Sequence, residues 1–257
     1  MRADAPVPVL LYHSVHDSPG PAERPYAVTP SAFSAHVDAI RASGRRAVTI
    51  SPLAAVMRAG LPPHARPLAI TFDDGYADNL DAIEVLLDRG LSSTIYVTTN
   101  EVDGRNRLSR SQLAELACTT GVEVGAHGVR HRRLDELDLR ELGEEVTASK
   151  LWLEDVIGRE VRSFSYPHGA YDSRVRQAVM AAGYRSAVAV KNALSHGDDD
   201  PFAIARWTVM RETPVERVAT VIEGEGVRRA WSGERLRTRA FRAVRRSKRR
   251  VTRAVAG

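Results

Sequence analysis

A single cysteine, Cys118, stands in a chain of 257 residues, so neither an intrachain disulfide framework nor a thiolate-rich zinc site can form. Any metal would have to be held by imidazoles and carboxylates. No apolar run approaches the length of a membrane span. The opening stretch, MRADAPVPVLLYHSV, has too short an apolar run and the wrong flanks for a secretory signal, so the expectation is a cytoplasmic protein. Short-period repeats, low-complexity linkers and signs of a second large domain are also absent. Aromatics make up only 6% of the chain, and none alternates with the basic residues near the C-terminus, as a stacking platform for nucleic-acid bases would require.

What charge there is lies unevenly. The chain carries a formal +5 and a pI near 9.6, which by itself points to an anionic partner. Residues 227–257, however, hold twelve Lys and Arg against one Glu, a net of +11, and subtracting that from +5 leaves −6 for residues 1–226. The division is thus a domain over 1–226 and a basic tail over 227–257, and the tail's charge says little about the domain's substrate. Within the tail, Leu236, Ala240, Phe241, Val244, Val251 and Val255 recur at spacings near three and four, so a helix would gather them on one side. Such a helix suits an anionic membrane surface, placing the protein peripherally at the inner face of a membrane. A solvated tail with no dedicated partner is the competing reading, and nucleic acid is disfavoured because no recognition motif accompanies the arginines.

With 43% hydrophobic residues the chain can bury a large core. Strand-like apolar runs appear at 7–12, 47–50, 68–72, 93–98, 122–126, 162–166, 186–190 and 203–209. Helical patterns separate most of them. One spans 31–44 with a Ser cap and a closing Gly, another 79–90 with an Asn cap, and the longest runs from 137 to 158. Repeated strand–helix alternation predicts a parallel sheet, open or closed into a barrel, whose ligands gather at the carboxyl ends of the strands.

Those ends are unusually polar. The first run leads into His13, the run 68–72 into Asp73-Asp74, and the run 122–126 into His127, with His131 four residues on. A strand-ending turn explains one carboxylate beside a glycine. Two adjacent carboxylates raise each other's proton affinity unless a cation or a division of labour separates them, so Asp73-Asp74 points to a metal site. In GAHGVRH, Gly125 and Gly128 favour a loop that folds the two imidazoles round a common point. Two His and one carboxylate form a catalytic zinc set with an open position for water, whose pKa falls from about 15.7 towards roughly 7 when bound. One aspartate would then bind the metal while the other takes the proton of the attacking water.

These residues resemble a family, the polysaccharide deacetylases with the NodB homology domain, carbohydrate esterase family 4. Its Thr-Phe-Asp-Asp-Gly motif stands as Thr71-Phe72-Asp73-Asp74-Gly75, and its His-(Ser/Thr)-x-x-His motif is matched by His127 to His131. A third motif matches at Phe164-Ser165-Tyr166-Pro167-His168-Gly169. Over roughly residues 7–210 the resemblance implies a distorted (β/α)7 barrel that hydrolyses the acetamide of N-acetylated sugars. It implies Asp73 as base and Asp74, His127 and His131 as ligands of Zn²⁺ or another divalent ion.

Three departures from the family pattern stand out. Gly128 replaces the Ser/Thr of the second motif, removing a hydroxyl that braces the loop and predicting weaker metal binding. Ser165 stands where most members carry an Arg that orients the base, and no Leu-x-His follows near the C-terminus to serve as general acid. These losses resemble the circularly permuted poly-N-acetylglucosamine deacetylases, whose chain opens with a Tyr-His strand as LLYHSV does here. That resemblance makes His13 the general acid and Arg206 the partner of Asp73. His196, in NALSHGDDDP, is the rival acid, but Asp198, Asp199 and Asp200 read as a solvated loop, and a strand end is better pre-organised.

The backbone N–H of His168 would help stabilise the oxyanion, and Trp207 and Tyr166, near strand ends, would meet a sugar ring or the acyl group unless they serve packing. The substrate expected is an N-acetylated glycan or a lipid-linked sugar. Two other classes compete: a carbohydrate-binding protein of the same fold with a degraded site, and a nucleic-acid or membrane-surface binder working through the tail.

Overall fold

The computed structural model of the protein describes residues 5–62, 64–231 and 245. Seven parallel strands form its centre: β1 (Val9–Tyr12), β2 (Pro67–Phe72), β3 (Ser93–Val97), β4 (Val122–Ala126), β5 (Ser163–Ser165), β6 (Ser186–Val190) and β7 (Ile204–Thr208). Each pairs with the next in sequence, and β7 returns to β1 with Trp207 opposite Leu10 and Thr208 opposite Leu11. The sheet therefore closes, and the (β/α)7 barrel is the fold. Its distortion sits at β5, only three residues long and joined to β4 through the single pair Ala126–Phe164.

Eight α-helices accompany the strands among the described residues: α1 (Pro30–Ala42), α2 (Ile50–Ala59), α3 (Asn79–Asp88), α4 (Arg110–Cys118), α5 (Leu139–Gly143), α6 (Ser149–Ile157), α7 (Ser173–Ala181) and α8 (Val215–Ile222). The cap of α1 is Thr29 rather than Ser31: its hydroxyl accepts the Ala32 N–H at 3.2 Å, with proline filling the first helical position, where no N–H is needed. The long pattern at 137–158 is one helical rod interrupted by a π-turn at Glu144–Ala148 and stopped by Gly158 in the left-handed conformation. The run 47–50 is not a barrel strand. Only Arg46–Ala47 is extended, at the edge of β2, and Ile50 opens α2. Four apolar residues cannot tell a buried strand from the start of a buried helix.

Period-two alternation divides the strand side chains between two cores. Leu10, Tyr12, Leu68, Ile70, Phe72, Val124, Ala126 and Phe164 pack outward in the larger cluster, where Phe33, Val37 and Ile40 of α1 and Ile83 and Leu86 of α3 meet them. Val9, Ala69, Tyr96, Val188 and Ile204 face the interior, and α2 covers them with Ile50, Leu53, Ala54 and Met57. Above this inner cluster, at the carboxyl ends of the strands, the inward positions are polar again, as they are below it, where Thr94 and Glu123 meet the start of α2.

Residues 227–231 continue against the body: Val227 packs on the larger core, and Ala230 N–H donates to the Leu194 carbonyl at 2.7 Å. Arg245 pairs with Glu136 at 2.7 Å and with Asp135 at 3.3 Å. The apolar tail positions Leu236, Ala240, Phe241, Val244, Val251 and Val255, and the amphipathic helix expected of them, lie outside the described residues. No helix among the described residues is long and apolar enough to cross a membrane.

Candidate active site

The same alternation that buries Leu68, Ile70 and Phe72 outward turns Ala69, Thr71 and Asp73 inward at the end of β2. Three hydrogen bonds from two residues then lock Asp73. Arg206 of β7 forks onto it with both nitrogens at 2.7 Å, and Ser165 of β5 donates its hydroxyl at 3.2 Å. Arg206 is in turn fixed by Ser165 Oγ at 2.8 Å and Thr71 Oγ1 at 3.2 Å. Burial alone would raise the carboxyl's pKa, but the Arg206 guanidinium and the neighbouring His127 hold it well below the usual carboxylate range. Asp73 is therefore ionised at any working pH. Arg206, expected as its partner, occupies that place from a strand on the far side of the sequence.

Asp74, one residue on, adopts a left-handed φ of 74°, which turns its carboxylate out of the strand alternation and into the cavity. His131 (φ 52°) and His168 (φ 57°) share this conformation, so three of the described non-glycine residues with positive φ line one cavity. Backbone strain held in place by its surroundings concentrates at functional sites. Asp74 Oδ1 lies 3.5 Å from His127 Nε2 and 3.3 Å from His131 Nε2. The three ligand atoms fall within 4.8 Å of one another, close enough to share one ion.

The donor chemistry fits as well. His127 Nδ1 donates to the Ser165 carbonyl at 2.8 Å, which leaves the Nε2 lone pair aimed into the cavity. Burial lowers the His127 pKa to about 3, so the ring is neutral, as a ligand must be. His131 is lowered too, mainly by burial. Asp74 moves up, through burial and then through Asp73 beside it, against the pull of His13.

His13 follows Val9 and Leu11 on the inward face of β1. Asn79 at the start of α3 holds its carbonyl at 2.7 Å, while Asp78 takes the Ser14 hydroxyl at 2.6 Å and the Val15 N–H at 3.0 Å. Its ring lies 5.0 Å from that of Tyr26, and its buried Nδ1 has no hydrogen-bond partner. Burial lowers its pKa; Asp73 and Asp74 act against that. His13, Asp73, Asp74, His127, His131 and His168 all line one cavity of about 560 Å³ at the carboxyl end of the barrel.

Several sequence expectations are not met. Tyr166 follows the outward side chain of Phe164 by two and packs outward with it: it is fully buried, bonds the Phe202 carbonyl at 2.8 Å and stacks on Tyr171. Trp207, between inward Arg206 and Thr208, faces the outer core. Neither lines the cavity. His196 pairs with Pro6 beside the amino end of β1, away from the carboxylates. Its acidic neighbours are no solvated loop, since Asp199 is buried against Lys191 and Ser195, and Asp200 holds Arg176.

Two departures that suggested a weakened site are compensated. Ser165 and Arg206 together orient Asp73; Arg206 is the expected partner, whereas the part of Ser165 is legible only once β5 is known to face β7 and β2 across the barrel. The loop after His127 is braced by Glu145, a residue with no signature in a single sequence. Its carboxylate accepts the N–H groups of Val129 at 2.8 Å and Arg130 at 2.9 Å.

Comparison with known proteins agrees with this arrangement. A family model described as Polysaccharide deacetylase matches residues 60–187. YxkH of Bacillus subtilis (strain 168), a protein that carries the polysaccharide deacetylase name, is 28% identical over 206 residues, covering 80% of this chain and 72% of its own. BC0361, a polysaccharide deacetylase from Bacillus cereus, superposes with a TM-score of 0.75 at 26% identity, over 85% of this chain and 69% of its own. IcaB from Ammonifex degensii shares the fold at 22% identity, with a TM-score of 0.71 over 86% of this chain and 98% of its own. The barrel, the Asp-Asp pair at the end of β2, the histidine loop after β4 and these relatives place the chain in the polysaccharide deacetylases, the NodB or carbohydrate esterase 4 family, whose hydrolases deacetylate polysaccharides.

Proposed function

We propose that the protein is a metal-dependent N-deacetylase of an N-acetylated glycan of the N-acetylglucosamine type. One observation carries the reading: three metal-ligand atoms from Asp74, His127 and His131 converge beside an ionised, fully oriented Asp73 in a cavity of about 560 Å³. A divalent ion held there, most simply Zn²⁺, would polarise the amide carbonyl and bring a water towards hydroxide near neutral pH.

The chain's own groups supply the rest. Arg206 and Ser165 keep Asp73 charged and aimed, so it accepts the proton of the water that adds to the acetamide carbon. His168, held in its left-handed conformation at the cavity wall, offers its backbone N–H to the oxygen that gains charge. His13 gives a proton to the sugar nitrogen as the C–N bond breaks, because an amine departs poorly unprotonated. Acetate and a free amino sugar result. The need for that proton favours an amide over an ester substrate.

A binding protein with a degraded site is the weaker reading, because the residues that replace Gly128's missing hydroxyl and Ser165's missing guanidinium are in place. The test is acetate release across N-acetylglucosamine oligomers, peptidoglycan fragments and lipid-linked sugars. Release from at least one of these, abolished by chelation and restored by Zn²⁺, is expected. Release that persists in chelator contradicts the metal role, and none from any acetylated sugar contradicts the enzyme.

A further inference from the structure

The carbonyls of the His127–His131 loop are held by Thr99 N–H on Gly128 at 3.2 Å, Asn100 N–H on Val129 at 3.0 Å and His168 Nε2 on His131 at 3.2 Å. With glycine at 128, however, the loop's own amides need an acceptor from elsewhere. Glu145 is completely buried in the π-turn between α5 and α6, a type of helix irregularity that recurs at functional sites. One carboxylate oxygen takes both successive N–H groups of Val129 and Arg130, and the other takes Arg130 Nη1 at 3.1 Å. A side chain at position 128 would place its Cβ 3.3 Å from that first oxygen, on a backbone with φ +77°. The glycine and the carboxylate fit one another.

We infer that Glu145 is the positioning residue of the metal loop: through the two backbone bonds it sets the approach of His131 to Asp74 and His127. Its chemistry favours this over a purely stabilising role. A buried carboxylate is costly to desolvate, and the ion pair it makes is weak evidence for stability because half of the Arg130 side chain stays in solvent. What the side chain does supply is one oxygen that accepts both amides at once. The bonds fall within the four-residue interval between the two histidines, so a loop released there loses the position of His131 while His127, anchored by Ser165, stays. The backbone of His131, at φ 52°, is the strained element that such a constraint would maintain.

The inference rests on the metal-site reading above, and the experiment separates the two. Zn²⁺ affinity of the full-length apo-protein is measured by competition with a chromophoric chelator, alongside the visible spectrum of the Co²⁺ form, for the wild type, Glu145→Gln, Glu145→Met and Arg130→Ala. Glu145→Gln keeps an acceptor for both amides and stays near wild type, as does Arg130→Ala. Glu145→Met weakens binding by about 10–100-fold, the usual effect of losing a group that orients a ligand, and alters the Co²⁺ spectrum. Failure of the wild type to bind metal overturns both readings, whereas equal binding by wild type and Glu145→Met overturns the role of Glu145 alone. Should Glu145→Met not fold, amide exchange in the wild-type apo-protein decides: protected Val129 and Arg130 amides support the brace, and freely exchanging ones overturn it.

Discussion

Asp73 and Asp74 are neighbours in the chain with opposite electrostatic fates. Asp73 continues the strand alternation inward and meets Arg206, so its carboxyl is held low; Asp74 leaves the alternation at φ 74° and, buried beside Asp73, moves up. That electrostatic difference has its cause in a single backbone turn, and the proposed division of labour builds on it. His13 raises the matching question of pH. Burial lowers its pKa below the ordinary imidazole value while the two aspartates pull the other way, and the ring must be protonated to donate. Activity should therefore decline as pH rises through the His13 pKa, and His13→Ala should remove that descending limb of the pH–rate profile while His196→Ala leaves it intact. A limb that survives in His13→Ala and vanishes in His196→Ala would reverse the assignment. The acidic pair and the imidazole pair were legible because they are contiguous motifs at strand ends. Ser165 and Glu145 were not, since each acts across a packing contact with a residue distant in sequence. Tyr166 and Trp207 were misplaced for a simpler reason: strand parity, counted from inward Ser165 and Arg206, puts both on the outer face.

At the level of elements, six of the eight apolar runs form barrel strands within one residue of their expected ends, and the first is trimmed to Val9–Tyr12 behind a short Pro6–Val7 strand. The exception is 47–50, where a run too short to show a period opens α2. The interior of the barrel is tight where β3, β4 and β5 meet. A Cβ on Gly125 would lie 2.5 Å from the Tyr96 ring and 2.9 Å from the Ser163 carbonyl. Gly125→Ala must push β4 away from its neighbours, directly below His127. Overpacking of this kind costs about 1–3 kcal/mol, so the urea midpoint of Gly125→Ala should fall, with metal affinity falling alongside it. An unchanged midpoint would mean that the β4–β5 seam, joined by one residue pair, yields without cost.

At the scale of the whole molecule, closure of the barrel is what makes one site from residues 13 to 206. Parallel pairing of β7 with β1 and of β1 with β2 brings Arg206, His13 and Asp73 to the same rim, although 193 positions of sequence separate the first two. The alternating pattern fixed the fold class from sequence, but closure itself depends on hydrogen bonds between the first strand and the last, which no local pattern reports. The account's central claim is that this rim separates metal binding from proton transfer: Asp74, His127 and His131 hold the ion, and Asp73 handles the proton. Metal content and acetate release measured together on wild type and Asp73→Asn test it most directly. The account predicts an unchanged metal stoichiometry and turnover lower by about 10²–10⁴-fold, the usual contribution of a general base. Unchanged turnover, or metal lost together with it, would contradict the claim.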